Sequence, residues 1–242
     1  MRNGRQSGHS VRLGGLDGVR AASRLFRGWQ ERGRFNGREP SAAALEFEHM
    51  PSSDERARWN QKYREGLHTP SEPDPFLVEA FSLFVHPAFP DGGSALDLAG
   101  GAGRHALYLA QRGWQVTLTD ISEVAVEQAR QSAGALASHI HFVVDDLTQF
   151  RASQSQFDLV MGFFYLERGI FPEIVKAVRP GGLLVYKTYT AKQLTLEGGP
   201  KDPAHLLEAG ELLELVKGLQ VLHYREAMAA KATAEVVAKK AF

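Results

Sequence analysis

Hydrophobic and polar positions follow two alternating patterns along residues 50–242. Short apolar runs of four to seven residues predict buried strands, and apolar residues spaced three or four positions apart predict helices between most of them. The predicted strands are residues 95–98, 115–119, 140–144, 157–161, 182–188, 220–225 and 234–239. The predicted helices that alternate with them are residues 103–112, 122–133, 170–178 and 203–219.

This alternation predicts a doubly wound α/β fold. We expect a mostly parallel, seven-stranded, Rossmann-like sheet with helices on both faces, because such helices connect successive parallel strands. The strands are apolar throughout, as is typical of strands covered on both faces. Only residues 226–233 separate the last two strands, so we expect an antiparallel hairpin at the edge of the sheet.

Two more helices are predicted ahead of the first strand. Residues 54–66 have Trp59 and Tyr63 four positions apart, on one helical face. A proline-rich turn follows, and residues 76–85 form the second helix.

Residues 1–49 have a different composition. They hold nine Arg and no Lys against five acidic residues, a net charge of +4, with frequent glycine and weak apolar periodicity. We expect a disordered basic extension. Three explanations stay open: a start upstream of a true initiator at Met50, a targeting segment, or a basic arm for a polyanion. No apolar run follows the early arginines, so no secretory signal is expected.

The overall composition narrows the classes of protein. The chain has 242 residues, which suits one α/β domain, and its net charge of zero gives no global reason to expect nucleic acid or a membrane as partner. The absence of cysteine excludes disulfides, thiolate nucleophiles and Cys-ligated metals. The longest apolar run, residues 159–166, is far shorter than the roughly 20 residues of a membrane helix. We expect a cytoplasmic protein, either a monomer or a weak dimer.

The candidate chemistry begins at the glycine-rich segment LDLAGGAGR, residues 96–104. Glycines permit positive φ angles and close approach of a ligand, and a helix starting near Gly103 presents free N–H groups to an anion. Arg104 in its first turn supplies donors suited to a carboxylate. Asp120 lies 19 residues after Gly101, at the end of the second strand, where an acid can bind two ribose hydroxyls.

Two nucleoside cofactors fit such a turn. Gly101-x-Gly103-x-x-Ala106 matches the dinucleotide fingerprint, so an NAD-dependent oxidoreductase stays open. Asp97 at the end of the first strand favours a cofactor with an ammonium group, which NAD lacks, and Arg104 favours one with a carboxylate.

The segment LDLAGGAGR resembles the first motif of class I S-adenosylmethionine-dependent methyltransferases, with Ala99 where that family usually has glycine. Because alanine adds only a methyl group, we expect binding to survive. Further segments resemble the family's successive motifs in order and spacing, over about residues 58–242. They are VTLTDIS at 116–122, FVVDDL at 142–147, FDLV at 157–160 and RPGGL at 179–183. The resemblance implies one methyltransferase domain, residues 50–242.

Within the superfamily, Trp59-x-x-x-Tyr63 and Gly103-Arg104 are similar to the tellurite-resistance and thiopurine-type branch. In that branch a helix before the fold covers the cofactor. The resemblance therefore implies that residues 50–90 form lid helices and that Tyr63 contacts S-adenosylmethionine.

At the methionine end, the resemblance implies that Asp97 and the backbone at Ala99, Gly101 and Gly103 hold the cofactor. Arg104 is similar to the residue that meets its carboxylate.

At the nucleoside end, it implies that Asp120 binds the ribose, that Ile121 lies against the adenine, and that Asp146 takes the adenine amino group with Leu147 beside the ring. Asp145 is the alternative to Asp146. A simpler reading of the acid pair is a helix N-cap before Leu147, which does not exclude adenine binding.

The segment after the fourth strand, GFFYLER at 162–168, is the candidate reaction centre. Phe163 is expected to flank the cationic sulfonium, Tyr165 to hydrogen-bond the acceptor and Arg168 to bind an anionic one. The alternative is that the phenylalanines belong to the core and that Arg168 is solvated. Tyr189 and His205 are further candidate acceptor contacts, or else surface residues.

Methyl transfer needs orientation more than a dedicated base, so a catalytic residue is not obligatory. His139 and His141 share a strand face without an evident third ligand, and no metal site is predicted. We prefer a small-molecule acceptor because the chain has no added recognition domain and no net basic charge. An RNA methyltransferase and a non-catalytic protein that binds S-adenosylmethionine stay open.

Overall fold

The computed structural model describes residues 52–67, 69–152 and 155–242. The predictions for residues 1–49, and the possible start at Met50, lie outside these residues. A seven-stranded sheet with the strand order β3-β2-β1-β4-β5-β7-β6 forms the centre. The strands are β1 (Ser94–Leu98), β2 (Gln115–Asp120), β3 (Ile140–Val144), β4 (Phe157–Phe163), β5 (Val178–Tyr189), β6 (Gln220–Met228) and β7 (Ala232–Lys239).

The direction of the strands confirms the predicted class. Strands β1 to β5 are mutually parallel where they pair. Strand β7 runs antiparallel to both of its neighbours, β5 and β6, and pairs Lys187 of β5 with Glu235. The predicted hairpin therefore exists, with β6 at the edge and β7 inserted beside β5.

Helices cover both faces of the sheet. The α-helices are α1 (Ser52–Arg64), α2 (Pro75–Ala80), α3 (His86–Ala88), α4 (Arg104–Ala110), α5 (Glu123–Ala133), α6 (Phe171–Ala177) and α7 (Glu211–Leu215). A π-helical turn, Phe81–Val85, joins α2 to α3, so the predicted helix 76–85 is present as α2 and this turn, and α3 continues it. Helices α2, α4 and α5 pack on one face, and α6 and α7 pack on the other.

Alternate residues of each central strand supply the two cores. In β1, Ala95 joins the cluster under α4 and α5, and Leu96 joins the cluster under α6 and α7. This is the two-residue period of a strand buried on both faces. Among the described residues, no helix is long and apolar enough to cross a membrane.

The predicted helix over residues 203–219 is wrong. The chain forms a 3₁₀ turn, Pro203–His205, and the short helix α7. Between them, the Leu207 amide donates to the Tyr189 carbonyl at 2.9 Å and the Leu207 carbonyl accepts from Ala191 at 2.8 Å. These bonds to β5 and the segment after it hold Leu207 extended. Gly210 then adopts φ +76° immediately before α7, which a continuous helix does not allow.

Candidate functional site

The glycine-rich turn lies at the carboxyl end of β1, where a doubly wound sheet places its ligands. Gly101 and Gly103 adopt φ +57° and +86°, the left-handed region that favours glycine. Ala99 also adopts a positive φ, +52°, which costs an L-residue about 1–2 kcal/mol. The backbone therefore keeps the shape that a glycine would give, at a small cost in strain.

Asp97 is the most unusual group at this turn. It is only 1% exposed, and neither carboxylate oxygen has a hydrogen-bond partner among the described residues. Burial and the nearby Asp120 carboxylate raise its pKa to about 8, although the Arg104 guanidinium and the Ala106 backbone amide near it oppose the rise. Because a buried acid without a partner is costly, this carboxylate is suited to a cationic ligand group.

Arg104 opens α4 and is partly buried beside the same turn. Its guanidinium donates one hydrogen bond, at 3.3 Å, to the Glu72 carbonyl and forms no ion pair with a carboxylate in the described ranges. Arg104 and Asp97 thus place a cation and an acid close together, as a zwitterionic amino acid requires.

Asp120 ends β2 and faces the turn. One carboxylate oxygen accepts from the Gly101 amide and the other from the Ser122 amide, both at 2.9 Å. Burial raises the pKa of Asp120, and these backbone hydrogen bonds oppose the rise. Each oxygen keeps a lone pair, so the side chain can still accept from two hydroxyls.

The other end of the cleft lies after β3. Ile121 is half-buried, Leu147 is buried, and Asp145 is exposed and accepts from the Asp146 amide at 2.9 Å. Asp146 accepts from the amide and hydroxyl of Thr148 at 3.0 and 2.8 Å and caps the 3₁₀ helix Leu147–Gln149. The N-cap interpretation is confirmed, and adenine contact by either acid stays a prediction.

Helix α1 covers the glycine-rich turn. Tyr63 is buried, and a Cβ atom at Gly101 would overlap its hydroxyl oxygen. The Asn60 carbonyl oxygen accepts from the Ser122 hydroxyl at 2.6 Å and from the Val124 amide at 3.3 Å. Asn60 therefore fastens α1 to the loop that follows Asp120, a role that its sequence context did not suggest.

The residues predicted to line the reaction centre have different environments in the structure. Phe163 is buried with its ring centroid 4.2 Å from that of His105, so it has the core position foreseen as the alternative. Tyr165 is partly buried, and burial raises the pKa of its hydroxyl, which therefore stays protonated.

Arg168 is not simply solvated. Its guanidinium pairs with Glu211 at 2.6 and 3.0 Å and donates to the carbonyls of Ala204 and Leu206, each at 2.7 Å. These contacts hold the segment before α7 in place. Binding of an anionic acceptor by Arg168 stays a prediction, and the arginine has few donors left for it.

Comparison with known proteins gives this cleft a family. Residues 95–182 match the family model for a methyltransferase domain. That segment is 88 of the 242 residues, and over this part the chain is similar to methyltransferase domains.

Similar proteins carry the same domain. The tRNA 5-carboxymethoxyuridine methyltransferase of Escherichia coli K12 is 31% identical over 125 residues, 48% of this chain and 47% of that protein. Two solved structures share the fold. The 1,6-didemethyltoxoflavin-N1-methyltransferase of Burkholderia thailandensis, with bound 1,6-didemethyltoxoflavin and S-adenosylhomocysteine, has a TM-score of 0.61 and 18% identity, and covers 85% of this chain and 94% of its own. TehB from Haemophilus influenzae has a TM-score of 0.60 and 18% identity, and covers 75% and 67%.

The chain spans about half the length of the curated relatives it matches. The family model for a methyltransferase domain matches residues 95–182 of this chain. Residues outside 95–182, which include α1 and the carboxyl ends of β5 and β7, therefore have to be interpreted from their own geometry.

The residues of the methyltransferase cleft fit S-adenosylmethionine. The buried, unpartnered Asp97 carboxylate suits its ammonium group, Arg104 suits its carboxylate, and Asp120 has lone pairs for its ribose hydroxyls. An ammonium group is absent from NAD, so Asp97 favours S-adenosylmethionine over NAD.

A second group of residues at the cleft was largely missed from the sequence. The Lys187 ammonium lies 2.9 Å from Asp74 and 3.5 Å from Glu235, and all three side chains are mostly buried. Lys187 lies one residue before the end of the predicted strand 182–188, whose apolar pattern indicates a buried core strand. Its partners lie 113 and 48 positions away along the chain, so no local pattern marks the cluster.

Proposed function

We propose that this protein transfers the methyl group of S-adenosylmethionine to a nucleophilic atom of a small-molecule acceptor. One observation carries the proposal: the Asp97 carboxylate is buried without a hydrogen-bond partner in the described ranges, next to Arg104, at the turn where the methyltransferase family binds its cofactor. A buried carboxylate without a hydrogen-bond partner is more typical of a ligand-binding residue than of a structural one.

In this proposal the chain's residues bind and orient the cofactor. Asp97 takes the ammonium and Arg104 the carboxylate, while the backbone at Ala99, Gly101 and Gly103 lies along the methionine part. Asp120 takes the ribose hydroxyls. Ile121 and Leu147 flank the adenine, and Asp146, or Asp145 in its place, accepts from the amino group.

When bound, S-adenosylmethionine supplies an electrophilic methyl group on a positive sulfur. The acceptor lone pair forms the new bond as the carbon–sulfur bond breaks, and the breaking pair stays on the sulfur of S-adenosylhomocysteine. Orientation contributes most to such an in-line displacement. In this proposal the protonated Tyr165 hydroxyl donates to the acceptor, while Phe163 stays in the core against His105.

We assign α1 the role of a lid. Tyr63 lies over Gly101, and the Asn60–Ser122 hydrogen bond closes α1 onto the ribose end. A closed helix excludes water from the methyl group. The pattern Trp59-x-x-x-Tyr63 is the reason to place the chain near the tellurite-resistance and thiopurine-type branch.

We favour a small-molecule acceptor because the described residues include no additional domain that could bind a macromolecule. The part that the structure describes forms the methyltransferase domain with α1 to α3 and adds no separate module. A tRNA acceptor is the second candidate, because the Escherichia coli relative is named for a modified uridine of tRNA.

An assay of methyl transfer separates these candidates. The purified chain is incubated with S-adenosylmethionine labelled in the methyl group, together with either a small-metabolite extract or total tRNA. We expect S-adenosylhomocysteine and label in a small molecule. Label in tRNA would replace the acceptor proposal, and tight cofactor binding with no product from either pool would contradict the proposed transfer.

A further inference from the structure

Positive charges converge on one aromatic ring beside the proposed cofactor site. The Lys231 ammonium lies 4.3 Å from the centroid of the Phe164 ring, and the charged groups of Arg104 and Lys187 each lie 5.9 Å from it. The Tyr189 ring centroid is 5.1 Å from that of Phe164. Three cations and a phenol thus surround Phe164.

The backbone holds Phe164 in this position. It follows the last residue of β4 and adopts φ +60°, a strained angle for a residue with a large side chain. Its amide donates to the Lys187 carbonyl at 2.7 Å, which ties it to the end of β5. Strained residues of this kind concentrate at ligand sites.

The charges at this ring are not balanced. Asp74 and Glu235 neutralise Lys187, and Glu235 also pairs with Arg225. Arg104 and Lys231 form no ion pair with a carboxylate in the described parts of the chain.

The proposed function uses Arg104 for the carboxylate of the cofactor. Lys231, in the turn between β6 and β7, remains as a cation that forms no ion pair within the described ranges. Lys231 is exposed, and partial desolvation together with the nearby Arg104 and Lys187 lowers the pKa of its ammonium, while the Asp74 carboxylate opposes that change.

We propose that the methyl acceptor is a small molecule with a carboxylate group, which pairs with Lys231 beside Phe164 and Tyr189. This inference rests on the proposed function, because it names the acceptor class of the same cleft. Lys231, and not Arg168, is then the residue that selects an anionic acceptor.

The chemistry of the neighbours agrees with an anion. Asp74 and Glu235 neutralise Lys187, and the proposed function uses Arg104 for the cofactor, so Lys231 is the cation left to attract a carboxylate and to repel a cationic acceptor. Burial raises the pKa of the Tyr189 hydroxyl, so it stays protonated and can donate to the acid. The faces of Phe164 and Tyr189 suit an apolar or aromatic body next to the carboxylate.

The experiment uses matched pairs of small acids and their neutral amides. Calorimetric titrations of the full chain, saturated with S-adenosylhomocysteine, use acetate, benzoate, 4-hydroxybenzoate and phenylacetate, each alongside its amide. We expect at least one acid to bind about fivefold or more tightly than its amide. Lys231→Met should remove that preference, and Lys231→Arg should retain most of it.

Lys217→Met is the matched control. Lys217 is exposed just before the start of β6, at the end opposite the Lys231 turn, and its loss should change nothing. Absence of any acid preference, or an acid preference that survives Lys231→Met, would overturn the inference. Failure to bind S-adenosylhomocysteine at all would instead overturn the proposed function, so the two failures are distinguishable.

Discussion

Asp97 carries much of the proposed binding chemistry in one side chain. Its place at the end of β1 could be predicted from the motif, because an apolar strand that ends in an acid before glycines is unusual. Its burial and its lack of a hydrogen-bond partner could not be predicted, since they depend on the packing of α4 and β2. The ion pair of Arg168 could not be predicted at all. Its partner Glu211 lies 43 positions away, so no local sequence pattern indicates the contact.

The raised pKa of Asp97 predicts proton release on binding. With a pKa of about 8, the free protein holds Asp97 mostly protonated at pH 7, and pairing with an ammonium group ionises it. Binding of S-adenosylhomocysteine should then release up to about one proton, and affinity should rise from about pH 6 to pH 8. Calorimetry at pH 7 in two buffers of different ionisation enthalpy measures this.

Asp97→Asn is the control for that result. It should bind at least about tenfold more weakly and release no proton. The fold of this variant should survive. In the wild type, Asp97 ionises above about pH 4 in the unfolded chain but only near pH 8 in the folded protein, so the free energy of unfolding falls between these pH values. The neutral amide of the variant does not titrate, so its stability does not fall in this way. Equal proton release by both proteins would contradict the role of Asp97.

At the scale of elements, every strand and most helices follow from the apolar pattern. The exception, residues 203–219, shows the limit of that pattern. Leu212, Val216 and Leu219 have helical spacing, yet the pairing of Leu207 with the segment after β5 and the left-handed Gly210 interrupt the helix. Helix α1, in contrast, forms as predicted. Its existence was predictable, but its docking through Asn60 was not.

The docking of α1 leads to a prediction about Asn60→Ala. The substitution leaves the Ser122 hydroxyl and Val124 amide without their acceptor, a loss of about 1–3 kcal/mol. We expect affinity for S-adenosylhomocysteine to fall about tenfold and hydrogen exchange in α1 to accelerate.

Arg58→Ala on the same helix removes only an exposed pair with Glu55, and such pairs contribute about 0–1 kcal/mol. It should change neither quantity. If both variants behaved alike, α1 would not act as a lid through Asn60.

At the scale of the whole molecule, the doubly wound class and the edge hairpin were predictable from the alternation of elements. The insertion of β7 beside β5 was not, because the pattern does not specify the order of strands. That insertion sets Glu235 against Lys187 and brings the Lys231 turn to Phe164. The proposed acceptor site thus depends on topology rather than on a motif.

The division of the chain at residue 49 remains a prediction. Removal of residues 1–49 should leave the melting temperature and the affinity for S-adenosylhomocysteine nearly unchanged, because their composition gives little apolar surface to bury. Differential scanning calorimetry of both lengths measures this. A fall of many degrees would show that the extension packs on the domain.

We propose that the cleft between Asp97, Arg104 and Asp120 binds S-adenosylmethionine. Calorimetric titration of the full chain with S-adenosylhomocysteine and, in parallel, with NAD tests it most directly, repeated with Asp120→Ala. We expect micromolar binding of S-adenosylhomocysteine, no binding of NAD, and a loss of affinity of about tenfold or more in Asp120→Ala. Binding of NAD alone, or unchanged affinity in Asp120→Ala, would contradict it.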